Sequence, residues 1–283
     1  LSLTSTKQVM TEPVVQDDLT AKQNDYAVFL PAISGFYATF VGKQRDPVNG
    51  PYVDPARLPQ GLTDMEQMNW LNSSKGLFPY KWSLYSGGHA NLDLTKTDWS
   101  EDMVRNRDPN TIMLGDSGGF QIAKGLWEGD WKANSGCPKA QKKRAAVLTW
   151  LDSIADYGMI LDIPAWVVRS PAGQNATGIS TFIEAVQGTY INNDYFMANR
   201  NGNCKFLNVL QGENHGEADD WYERMKKYCD PQQYSQPFEG WAMGGQNMCD
   251  IHLVLRRLVA LRFDGLLEPG LHDWMHFLGT SKL

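Results

Sequence analysis

Residues 111–121 read TIMLGDSGGFQ, and the centre of that run, Gly115-Asp116-Ser117-Gly118-Gly119, fits two unrelated chemistries. In the first, Gly115-x-Ser117-x-Gly119 has the spacing of a nucleophile elbow, a sharp turn after a strand that lifts a serine hydroxyl into solvent. The chain order of an α/β-hydrolase then needs an acid and a later histidine, and Asp162 with His272 or His276 fills those places, although no oxyanion loop is evident before the serine. In the second, Asp116 acts: a carboxylate at the end of a barrel strand handles a proton or anchors a ligand, and the glycines beside it let a flat ligand approach the backbone. The run also overlaps the serine signature of trypsin-like proteases. That class carries its serine near the C-terminus, whereas Ser117 lies in the first half of this chain and His89 is the only histidine before it.

The elements that must position these residues follow one grammar. The runs YAVFLPAISG (26–35), KWSLYSGG (81–88), TIMLGDSGG (111–119), GMILDIP (158–164), KFLNVLQG (205–212), GWAMGGQ (240–246) and WMHFLGTS (274–281) are apolar stretches, most of them closed by Gly, Asp, Gln or Ser. Helical spacing lies between several of them, with Val147, Leu148, Leu151, Ile154 and Ala155 in one stretch and Ile251, Val254, Leu255 and Leu258 in another. Strands alternating with helices predict an α/β fold with a parallel sheet, and seven such runs predict a (β/α)₈ TIM barrel truncated before its last strand. Residues 1–25 form a polar leader, residues 26–283 the barrel, and the stretch 44–61 a long loop within it. Active sites of that fold gather at the C-terminal ends of the strands, so Asp116, Asp162, Gln211 and Gly245 are expected at one mouth.

Composition narrows the classes. The chain has 283 residues, 42% hydrophobic and 20% charged, enough for a sizeable core and unlike a disordered segment. No apolar run reaches the roughly 20 residues of a membrane span, and the start lacks the grammar of a signal peptide, so a cytoplasmic protein without a membrane partner is expected. Cys137, Cys204, Cys229 and Cys249 show neither a C-x-x-C pair nor a histidine at metal spacing, so no metal site is expected within the chain. A net charge of −6 argues against indiscriminate polyanion binding while leaving room for the local basic stretches PKAQKKR (138–144) and RRLVALR (256–262).

The run Asp116-Ser117-Gly118-Gly119-Phe120-Gln121 resembles the D-S-G-G-[FY]-Q motif of the tRNA-guanine transglycosylase family. The strings AVFLPAISG (27–35), LDIP (161–164), VLQGE (209–213), GWAMGG (240–245) and HFLG (276–279) follow the family's other strands in order, from residue 26 to the end. With LDIP for the usual FDE and GGQN for GGLA, the details resemble the phage-type branch that puts 7-deazaguanine bases into DNA. The resemblance implies exchange of guanine in a nucleic acid, DNA in preference to tRNA, for a free 7-deazaguanine such as preQ0, through a covalent enzyme-sugar intermediate. A phage protein acting in the cytoplasm of a bacterial host, and assembly as a homo-oligomer, are compatible with it; a queuosine-type tRNA enzyme and a base-binding module without activity are the alternatives.

Carried over position by position, the resemblance implies that Asp116 is the acid/base group and Ser117 a neighbour binding ligand or backbone. Phe120 would stack on the base, Asp162 accept from its N1–H and exocyclic amine, and Gln211 reach its carbonyl. Gly244 and Gly245 would offer backbone groups, and Leu278 would close the pocket from below. Asp250 stands where bacterial relatives carry a glutamate. The family's nucleophilic aspartate and zinc-binding cysteines follow the HFLG strand, so both are expected beyond Leu283; Asp264 and Asp273 come too early to replace the nucleophile.

Overall fold

A computed structural model describes residues 27–51, 53–245, 250–272 and 274–279. The leader expected at 1–25, Cys249, Asp273 and the last two residues of the expected strand 274–281 lie outside them. Among the described residues six strands, β1 (Trp82–Ser86), β2 (Ile112–Asp116), β3 (Tyr157–Met159), β4 (Lys205–Leu210), β5 (Gly240–Met243) and β6 (Trp274–Phe277), pair in chain order, every pair parallel. The helices are α1 (Gly35–Gly42), α2 (Asp102–Arg105), α3 (Gly119–Ala123), α4 (Pro138–Ile154), α5 (Pro171–Thr177), α6 (Phe182–Asn199), α7 (His215–Met225) and α8 (Ile251–Phe263). This is an α/β fold, as the alternation of apolar runs predicts.

The sheet is curled into a half-barrel. Trp82 and Trp274 begin the two outermost strands, yet their rings lie 5.8 Å apart, and Trp274 stacks on Tyr157 of β3 at 3.8 Å. Side chains from the first, third and sixth strands of a flat sheet could not meet, because neighbouring strands are about 4.8 Å apart. These three rings close the N-terminal end of the interior. On the convex side Tyr85 meets Trp150 of α4 at 6.1 Å, and Trp241 meets Tyr222 of α7 at 6.0 Å. Trp150, Trp221 and Trp241 are fully buried, and each ring removes enough apolar surface to contribute about 4–6 kcal/mol of gross transfer free energy.

Two expected strands are shorter in the structure. At 26–35 the pairing is one bridge, Ala32 with Leu84, in which Ile33 N–H donates to the Leu84 carbonyl at 2.8 Å and Leu84 N–H to the Pro31 carbonyl at 2.9 Å. Pro31 has no N–H to add to the ladder, and Phe29 is 75% exposed rather than buried. Strand β3 stops at Met159 because the chain turns: Asp162 N–H donates back to the Ile160 carbonyl at 3.0 Å. The long loop expected at 44–61 holds short 3₁₀ turns at Lys43–Arg45 and Pro55–Arg57, and Arg45 anchors it to the buried Glu66 and Asp102. Among the described residues no helix is long and apolar enough to cross a membrane.

Candidate active site at the strand ends

Parallel pairing aligns Ser86 with Asp116, so β1 and β2 end together. The Ser86 hydroxyl donates to Asp116 Oδ2 at 2.6 Å and accepts from Gly88 N–H at 3.1 Å, which orients one carboxylate oxygen. The next residue turns away from the mouth. Ser117 is buried, and its hydroxyl donates to the Ile160 carbonyl at 2.9 Å, bonding β2 to the segment after β3. An elbow serine must be exposed and aligned with a base; this one binds backbone, so the hydrolase reading loses its nucleophile.

Asp162 is the centre of the arrangement. It is 5% exposed, and its carboxyl accepts a hydrogen bond from Gln211 Nε2 at 2.8 Å. Burial pushes its carboxyl up to about 7, the nearby Asp116 carboxylate adds to the rise, and the Gln211 bond opposes it. Gly119 lies against it so closely that a Cβ there would stand 2.6 Å from the Asp162 carbonyl and 3.0 Å from Oδ1. On the far side a Cβ on Gly245, whose φ is +61°, would sit 2.5 Å from Gln211 Oε1. One on Gly244 would sit 2.9 Å from Gln211 Nε2 and 3.3 Å from Leu278 Cδ1. Asp116, Asp162, Gln211, Gly244, Gly245 and Leu278 are therefore drawn to one end of the sheet. One detail differs from the expectation: the Gly244 amide donates to the Leu210 carbonyl at 3.0 Å, as part of the turn leaving β5, and so is already engaged.

Gln211 Oε1 is buried without a hydrogen-bond partner among the described residues. An orphaned acceptor beside a carboxyl that is difficult to ionise costs stability, and polar atoms kept in that condition mark a place where a ligand completes the bonding.

Side chains of α6 hold the backbone on both sides of Asp162. Ile163 N–H donates to Thr189 Oγ1 at 2.9 Å, and Asn192 Nδ2 donates to the Leu161 carbonyl at 2.7 Å. Arg144 of α4 donates through Nε to Asn192 Oδ1 at 2.6 Å, which fixes the amide's orientation. Arg144 is 8% exposed, and burial lowers its pKa. The sequence gives no sign of this clamp, since its members are 26 to 48 residues from the groups they hold. Also unanticipated is Glu213, nearly buried at the foot of Gly245 and paired with Arg169 at 2.6 Å.

Phe120 lies at the rim of the mouth, 53% exposed, its ring 5.7 Å from that of Trp166. Asp250 caps α8, accepting from His252 N–H at 2.8 Å. Inside the half-barrel a cavity of about 760 Å³ is lined by Ala27–Leu30, Trp82, Leu84, Leu114 and the whole of β6, with Asp116 and His276 as its ionisable groups. Burial holds the His276 imidazole down at about 4, so it is neutral across the physiological range.

The two basic stretches fare differently. Arg256 and Arg257 both bind Asp219, and Arg262 binds Glu268, so RRLVALR presents paired charges. In PKAQKKR, Lys139 faces Glu128 and Arg144 is buried, while Lys142 and Lys143 form no ion pair among the described residues. No group of three or more His, Cys, Asp or Glu among the described residues could hold a metal ion. Cys204 and Cys229 are buried thiols, both pushed upward chiefly by burial, so these residues do not fit a zinc site.

Fold and site together define an α/β half-barrel with a buried carboxyl–carboxamide pair and a second carboxylate at the C-terminal ends of its strands. Compared with known protein families, curated proteins and solved structures, the chain matches none.

Proposed function

We propose that this chain binds a guanine-like base at the strand ends and forms the base-exchange site of a transglycosylase, akin to the tRNA-guanine transglycosylases, acting on DNA in preference to tRNA. The observation that carries the reading is the Asp162–Gln211 pair. A guanine or 7-deazaguanine offers two neighbouring donors, N1–H and the exocyclic amine, beside a carbonyl acceptor. An ionised Asp162 accepts from both donors, and Gln211, released from Asp162, turns Nε2 toward the carbonyl. Charge-assisted bonds to the base favour the ionised carboxylate, offsetting the burial that raises its pKa. Gly244 and Gly245 leave room for a flat ring, Leu278 packs beneath it, and Phe120 stacks at the rim.

Exchange requires the C1′–N9 bond to break with its electrons going to the base, which then takes a proton at N9. A carboxylate meets the positive charge developing at C1′ and bonds to it; the incoming 7-deazaguanine gives up its N9 proton and displaces that carboxylate. Asp116, oriented by Ser86, is assigned the proton in both directions. The covalent carboxylate is assigned to an eighth strand continuing beyond Leu283, which would close the half-barrel into a (β/α)₈ barrel. The cavity is consistent with this, since it is lined by Trp274–Gly279 and by Ala27–Leu30, the segments between which such a strand would enter.

The test is incorporation of labelled guanine and preQ0 into DNA and into tRNA, by this chain and by one extended past Leu283, beside calorimetry of free-base binding. Incorporation into DNA by the extended chain alone, with base binding by both, is expected. Incorporation confined to tRNA would overturn the choice of polymer, and absence of both base binding and incorporation would overturn the reading.

A further inference from the structure

We infer that the rim of the mouth carries a track for single-stranded nucleic acid, made of two aromatic–lysine groups, one around Phe120 of α3 and one around Trp127; this rests on the base-exchange reading and says how the polymer reaches that site. Phe120 and Trp166 each come four residues after a carboxylate of the mouth, Asp116 and Asp162. Their rings are inclined at 55° and do not stack on one another, and Phe120 remains 53% exposed. The Lys124 ammonium lies 5.5 Å from both ring centroids. In the second group, the Trp127 ring packs where a Cβ on Gly118 would stand 2.5 Å away, directly beside the Asp116–Ser117 turn. Lys143 lies over that ring at 4.6 Å, and Lys142 is its neighbour on α4.

The chemistry of these groups selects the partner. Aromatic rings stack bases of any sequence on the face that a lysine leaves open, and the ammoniums 4.6–5.5 Å from the ring centroids supply cations for the phosphates of the same strand. A duplex hides its base faces, so rings at the rim serve a single strand, and a base leaving that strand has only to enter the adjacent mouth. Lys124, Lys142 and Lys143 form no ion pair among the described residues, in contrast to the arginines of α8. The nearby acidic groups, Glu128 and Asp130, line a shallow depression on the side of α5 with Lys139, which is paired with Glu128. They bound the track on that side.

The experiment measures fluorescence anisotropy of a labelled single-stranded DNA containing one guanine, its duplex, and the same sequence as RNA, across a salt series. Replacing two phosphate-neutralising lysines, in Lys142→Gln/Lys143→Gln, should make the slope of log K against log salt shallower by about 1.4, at roughly 0.7 per contact on a single strand. Trp166→Ala should weaken single-strand binding about tenfold with the slope unchanged. Lys142 is exposed and Lys143 half-buried over the Trp127 ring, so a thermal melt of the lysine variant checks its fold, and its result stands even if Trp166→Ala folds poorly. Single-strand binding that neither change weakens, or a preference for the duplex, overturns the track. Calorimetry with free 7-deazaguanine separates the two claims: base binding without variant-sensitive strand binding removes the track alone. Variant-sensitive strand binding by a protein that binds no base removes the base-exchange reading and keeps the track.

Discussion

Replacing Asp162 with asparagine should stabilise the protein while destroying the site. The carboxyl rises from 3.8 to about 7, and at about 1.36 kcal/mol per pKa unit this amounts to about 4 kcal/mol between its two protonation states. Asp162 is almost wholly buried, so solvent does not screen the effect away. Because the folded chain holds this proton more tightly than the unfolded chain, folding takes up a proton between about pH 4 and 7, and stability falls as pH rises through that window. Asparagine keeps the shape and an acceptor for Gln211 but does not titrate. The two proteins should therefore melt together near about pH 4, and the asparagine form should gain up to about 4 kcal/mol by about pH 8. For a domain of this size that is an increase of about 8 °C, at roughly 2 °C per kcal/mol. Differential scanning calorimetry at matched pH reads it directly. Equal melting temperatures at the alkaline end, or a gap that does not widen with pH, would refute the claim that burial of this carboxyl stores the energy. Affinity of the unaltered protein for a guanine-like base should rise with pH toward about 7 and then level, since the base's donors need the ionised form.

Other substitutions probe the neighbours. Gly119→Ala puts a methyl against the Asp162 carbonyl and should cost about 1–3 kcal/mol in denaturant unfolding together with most of the base affinity; wild-type behaviour would mean that the close approach is not constraining. Ser117→Ala should lose about 1 kcal/mol, one backbone-directed hydrogen bond, and the unaltered protein should resist fluorophosphonate; labelling at Ser117 would restore the elbow. Asn192→Ala leaves the Leu161 carbonyl and Arg144 Nε without partners and should destabilise by about 2–4 kcal/mol, whereas Asn192→Gln should recover less than half of that because the longer amide cannot meet both. Asp116→Asn should abolish exchange yet leave base binding within a few-fold of normal, as read by calorimetry beside the incorporation assay.

Much of this was legible because the residues that do chemistry close apolar runs. A run of apolar residues ending in Asp, Gln or Gly marks the end of the sheet to which its last residues belong, so Asp116, Asp162 and Gln211 could be assigned to one mouth before any pairing was known, although β3 itself stops at Met159. Periodicity and chain order are local properties, and they determined the α/β class, the parallel order of the sheet and the positions of α4 and α8. Other features depend on how far the sheet curls and which helix lies over which strand. The meeting of Trp82, Tyr157 and Trp274, the clamp of Thr189, Asn192 and Arg144 on the Asp162 segment, and the neutralisation of Arg256 and Arg257 by Asp219 all join residues far apart in the chain. Ser117 shows the division at its narrowest. Its spacing from the flanking glycines is the same in an elbow and in a barrel strand, and only the position of the Ile160 carbonyl, brought beside it by the adjoining strand, determines that the hydroxyl bonds backbone rather than facing solvent.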